Sequence, residues 1–142
     1  MLVFVVGIIG CGAAPVVPPV TGMPVVALAG EHLFFGRAWP TRSGTGGIEV
    51  AGTNSDLACT GQFRYRRWPQ GGGTLSCSDG SQGDFSLTAL SVGAGHGLGE
   101  SDLGPLSFAF GMAALDAARH LVPPPGQRVV VVEGRIGLIP DL

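Results

Sequence analysis

The chain contains no lysine: all eight of its basic residues are arginine. A Walker-type phosphate loop, a Schiff-base enzyme and a lysine general base each need a residue that this sequence does not have. Charge of either sign is sparse, at 13% of residues. A formal charge of −2 gives no global reason to expect a nucleic-acid partner, which normally needs a clearly basic domain or stripe. The apolar run from Leu2 to Ile9 is far shorter than the roughly 20 residues a helix needs to cross a bilayer. What is plentiful is turn-forming residues, Gly at 25 and Pro at 11, with no collagen-like period. A chain of 142 residues with this composition predicts one small domain built from many short strands.

The N-terminal run ends in Ile8-Ile9-Gly10-Cys11, followed by an uncharged, Pro-rich stretch from Gly12 to Pro24. A short apolar core ending at small residues has the pattern of a secretory signal. The four residues resemble the lipobox of bacterial lipoproteins: aliphatic, aliphatic or small, small, then an obligatory Cys. That resemblance implies cleavage before Cys11 and a diacylglycerol on its sulfur. Residues 1–10 are then a signal peptide, residues 11–30 a Pro-rich tether and residues 31–142 a single β-domain. Gly12 stands where many such lipoproteins of the inner membrane carry Asp, so the resemblance implies the outer membrane, reached through the N-terminal lipid. The competing reading of Leu2 to Ile9 is a buried strand, since it is Val- and Ile-rich and of strand length.

In the body of the chain, Leu57 to Arg66 alternates: Leu57, Cys59, Gly61, Phe63 and Tyr65 against Thr60, Gln62, Arg64 and Arg66. Period two over this length predicts a half-buried strand. Gly73 to Ser78 alternates in the same way, with Leu75 and Cys77 on one side, and the turn-forming run Trp68 to Gly72 separates the two. A hairpin centred near Trp68 sets Cys59 directly opposite Cys77 on the apolar face, a spacing suited to a disulfide. Closing such a loop contributes about 3 kcal/mol by the chain-entropy estimate, and exported proteins are where such bonds persist. The third cysteine, Cys11, is then left for the lipid.

The alternation continues through Ile48 and Val50, through Phe85, Leu87 and Ala89, and through Leu106, Phe108 and Phe110. Turn signals are read at Ser43–Gly47, Asp79–Gly83 and Gly93–Gly99. The pattern predicts an all-β fold: an antiparallel meander curling into a small barrel or sandwich, with one disulfide. Gly111 to Leu121 is the one good helix candidate, stopped by Pro123-Pro124-Pro125 and placed to plug one end. Arg128 to Glu133 reads as a last strand, its Val run either buried on both sides or a sticky edge. The order of Cys, Gly and aromatic residues from Cys59 to Gly111 resembles small exported bacterial proteins of uncharacterised function. It implies a clipped β-fold and no activity.

Three places invite a chemical reading. His96 lies near Glu100 and Asp102, as a hydrolase or metal site would require, but His32 and His120 are far away in sequence; an exposed His in a Gly-rich strand or turn is the plainer account. Asp79 to Asp84 lacks the alternating acids and closing Glu of a calcium loop and reads as a turn. Arg64, Arg66, Arg67 and Trp68 form the strongest candidate, able to hold a phosphate, a carboxylate or a sugar ring by charge and stacking. Against that stands the ordinary use of Arg stems to keep an exposed face soluble. The resulting expectation is a lipid-anchored, non-enzymatic envelope protein with an interaction or structural role and no metal or cofactor, meeting an envelope protein or a glycan. The rival is a periplasmic inhibitor or small-ligand module, similar in size, β content and clip to lipoprotein-type lysozyme inhibitors but without a motif that maps onto them. A hydrolase using His96 comes third.

Overall fold

Alternation decides the architecture, because strands that are apolar on one side only must curl to cover that side. A computed structural model describes residues 22–41 and 43–141. Eight antiparallel strands follow one another in chain order: β1 (Met23–Ala29), β2 (His32–Pro40), β3 (Thr45–Gly52), β4 (Ala58–Arg67), β5 (Gln70–Cys77), β6 (Gln82–Ser91), β7 (Ala94–Ser101) and β8 (Gly104–Phe110). Each pairs with the next, and β8 returns to β1 from Leu106 opposite Ala29 to Phe110 opposite Val25, so the barrel is closed. Closure leaves none of these strands with an unpaired edge. Cys59 is the register partner of Cys77, and the two are bonded across the β4–β5 hairpin.

The glycines have a specific place in this core. Across the strands the inward register runs Phe63, Gly73, Phe85, Gly99, Leu106, and one pleat further Tyr65, Gly71, Leu87, Gly97, Phe108. Large and small residues thus alternate around the ring, and the rings of Phe63, Phe85, Phe108 and Phe110 lie over Gly46, Gly73, Gly97 and Gly95. A methyl group on Gly97 would come within 2.3 Å of the Phe108 ring, and one on Gly95 within 2.5 Å of Phe110. Phe85 and Phe108 meet edge to face at 5.0 Å between centroids. The void left at the centre is about 30 Å³ and is lined by apolar side chains alone, on the scale of one water molecule. Eight strands make a barrel that side chains can fill, and here they fill it.

Several expectations are corrected. Residues 23–29, expected to be tether, are the strand that closes the barrel, so the β-domain includes them and does not wait for residue 31. Gly93–Gly99, expected to be a turn, is largely β7: its alternate glycines face inward under the rings of β8, which supply the apolar bulk the strand itself lacks. The β4–β5 turn is only Trp68-Pro69, and Gly71 to Gly73 belong to β5. The helix is short, α1 (Ala114–Ala118), with no side-chain N-cap and with i−3 hydrogen bonds closing its last turn from His120 and Leu121. It does not plug the barrel.

Instead α1 and the hairpin of β9 (Gln127–Val132) and β10 (Arg135–Pro140) form an arm on the outer wall. Val26, Leu28 and Ala109 point outward from β1 and β8, and Ala117, Leu121 and Ile136 of the arm bury them. The Val122 N–H donates to Ser107 Oγ at 2.9 Å, latching the arm's middle to β8. In β9, Val129 and Val131 pack on this second cluster while Val132 is exposed, and the strand's one ladder partner is β10. The Val run is therefore buried on one side only.

Candidate functional site

The polar side chains able to do chemistry lie outside the barrel. Its outer wall carries Arg37, Glu49, Arg64, Asp84 and Glu100, all exposed. This polar-out, apolar-in arrangement is the reverse of a barrel that spans a membrane with its strands. No helix among the described residues is long and apolar enough to cross a bilayer.

On the outer face of β2–β5 the register sets Trp39 opposite Gly47, Gly47 opposite Gln62 and Gln62 opposite Thr74. The adjoining rows place Glu49 opposite Thr60 and Arg64 between Thr45 and Gly72. The result is a groove walled by Trp39, Glu49, Gln62, Arg64 and Thr74. The Trp39 indole lies across Gly47, where a methyl group would come within 2.6 Å of the ring. The hydroxyls of Thr41 and Thr45 bond to each other at the β2–β3 turn, and the Thr41 N–H donates to the Thr45 carbonyl, which fixes the end of the wall that carries Trp39.

The four residues predicted from sequence are only partly brought together. Arg64 is in the groove. Arg66 reaches across Gly72, with Nη2 2.8 Å from where a methyl group on that glycine would sit. The ladder shifts register between Tyr65 and Arg67, and Arg67 ends the strand opposite Gln70. Trp68 is 55% exposed in the two-residue turn and does not line the groove. The aromatic wall is Trp39, which sequence reasoning missed because β2 shows no clean alternation.

His96 lies on the outer face of β7, and the arm brings His120 flat against it, with ring centroids 4.1 Å apart and planes 8° from parallel. Burial, then the neighbouring His120, hold the His96 pKa below its usual value. Glu100 is exposed further along β7, and Asp102 is occupied in the β7–β8 turn, where Oδ2 accepts from the Gln82 N–H at 2.9 Å. Among the described residues no group of three or more His, Cys, Asp or Glu is placed to hold a metal ion. Asp79 closes a turn by accepting from the Ser81 N–H at 2.9 Å, and that bond holds its carboxyl below the usual carboxylate range. Partial burial pushes the Tyr65 phenol up. Cys11 and the motif around it lie outside the described residues. No family model, curated protein or solved structure matches this chain.

Proposed function

We propose that this protein is a non-enzymatic binding module of the bacterial envelope, anchored through a lipid on Cys11 at the outer membrane, that presents the outer face of β2–β5 to its partner. The observation that carries the reading is the division of labour in the barrel. Its interior is filled and apolar, with no room for a substrate, while a shaped groove with an aromatic wall and hydrogen-bonding groups lies outside. The Cys59–Cys77 bond supports an oxidising compartment, and the lipobox-like Ile8-Ile9-Gly10-Cys11 supports the anchor. An inhibitor of an envelope enzyme would use the same face.

The deciding experiment is the intact mass of the chain expressed with its native N-terminus in a bacterial host, before and after reduction and thiol alkylation. Loss of residues 1–10, added lipid mass and two alkylatable thiols only after reduction is the expected result. A full-length chain with three free thiols overturns the reading.

A further inference from the structure

We infer that the groove on β2–β5 binds a neutral saccharide chain, with Trp39 as the stacking wall and Gln62, Arg64 and Thr74 as hydrogen-bonding groups. The inference rests on the reading of the protein as an envelope binding module and gives that module a ligand class.

Three features select this ligand over others. The first is the aromatic wall. Trp39 is half-buried and lies against the bare backbone of Gly47, so the indole is held at the groove instead of standing free in solvent as Trp68 does. An aromatic face offers an apolar, weakly negative surface to the C–H face of a pyranose, and its N–H remains a donor.

The second is the inventory of polar groups. Thr60 and Thr74 bring hydroxyls that both donate and accept, Gln62 an amide that does both, Arg64 a fork of donors and Glu49 two acceptor oxygens. A polyhydroxylated ligand, each of whose hydroxyls donates and accepts, can satisfy such a mixture. A phosphate or sulfate would use only the donors and would face Glu49.

The third is length. Trp39 on β2 and Thr74 on β5 are three ladder spacings apart, about 14 Å, which spans two or more linked pyranose rings. A chain of sugars therefore fits the groove better than a single ring.

The full chain, purified with its native N-terminus, is titrated with three probes: the β-1,4-linked hexasaccharides of glucose and of N-acetylglucosamine, and a sulfated heparin hexasaccharide. Trp39 and Trp68 are the chain's two tryptophans, so a Trp68→Phe background makes Trp39 the sole indole reporter. The expected result is saturable binding of at least one neutral hexasaccharide with a change in Trp39 emission, little changed by 0.5 M salt. Calorimetry should find binding lost in Trp39→Ala and weakened about tenfold in Gln62→Ala, an exposed position whose replacement leaves the barrel intact. Binding of the sulfated probe alone, binding indifferent to Trp39 and Gln62, or no binding of any probe overturns the inference. The two readings fail separately. A lipidated, disulfide-bonded chain that ignores the neutral sugars ends the saccharide assignment alone, whereas an unlipidated chain with free thiols ends the envelope module whatever the titration shows.

Discussion

Two apolar clusters share the wall formed by β1, β2 and β8, one on each side, and they are built on different plans. The inner cluster draws on every strand of the closed ladder except β7, which turns glycines towards it, and is packed with Phe34, Phe63, Phe85, Phe108 and Phe110. The outer one joins Val26, Leu28 and Leu33 to an arm made of a five-residue helix and a two-stranded hairpin, with smaller side chains such as Ala109 and Ala117. A two-stranded ribbon and a helix this short have little stability of their own. The barrel can therefore stand without the arm, while the arm depends on the barrel. Stability should divide along that line, with the barrel as the globally cooperative unit and the arm opening at lower cost.

The comparison is tested hardest inside the barrel. Phe108→Ala removes a ring that contacts Phe85 and covers Gly97, and should cost about 3–5 kcal/mol in urea unfolding, lowering barrel and arm together. Gly97→Ala, which pushes a methyl group into the same ring, should cost about 1–3 kcal/mol. That methyl group would also meet the Ser86 carbonyl oxygen at 2.3 Å, so a Phe108→Leu background should relieve the part of the cost that comes from the ring and leave the rest. Simple additivity would mean that the ring and the glycine are not complementary.

Next comes the clip. Replacing Cys59 and Cys77 together by Ser opens a loop with a sequence separation of 18 and should lower barrel stability by about 3 kcal/mol. Hydrogen exchange should show the loss on β4 and β5 as part of global unfolding, with the arm's own opening energy unchanged. A loss confined to the arm would contradict the division proposed above.

On the outer side, Leu121→Ala should cost about 2–3 kcal/mol, but locally. Amide protection in β9 and β10 should fall while the strands of the barrel keep theirs. A global loss of the same size would show the two clusters to be one cooperative unit. The His96–His120 stack in the same latch should respond to pH. Burial and His120 hold the His96 pKa in the folded protein below the ordinary histidine value of about 6.5, so the unfolded chain binds the proton more readily. The contribution of His96 is therefore present above pH 6.5 and is lost as pH falls through the folded value. The residues facing His96 across the ladders, Thr88 and Ala109, carry no charge, and the group facing it from the arm is His120. Arm protection should be higher at pH 7.5 than at pH 5, and His96→Phe, which keeps an aromatic ring in the stack, should remove most of that difference.

The same division explains what was legible in the sequence. β4, β5, β6 and β8 face the core on one side and water or small residues on the other, so their apolar positions alternate and the Cys59–Cys77 register could be read directly. β1 has both faces covered, one by the barrel interior and one by the arm, so Val25 to Ala29 shows no period at all. β2 hides behind Leu33-Phe34 for the same reason, and with it Trp39, the wall of the groove. β7 turns glycines inward and borrows its apolar bulk from β8. Arg64 was legible because it lies on an alternating strand. The pairing of His96 with His120 was not, because it depends on how a segment with no barrel strand folds back.

The smallest expected effect concerns the arm's own turn. Glu133 and Gly134 join β9 to β10 with φ of 52° and 77°, both in the left-handed region, as a tight hairpin of this twist requires. Glycine adopts that conformation freely, but glutamate pays a steric penalty there that asparagine largely escapes. Glu133→Asn should therefore tighten the hairpin by about 0.5 kcal/mol. Because the hairpin belongs to the arm, slower amide exchange should be confined to β9 and β10, with the urea midpoint of the barrel unmoved. A shift in that midpoint would mean that the arm contributes to global stability after all, and that the closed barrel is not the self-sufficient unit its ladder of eight strands implies.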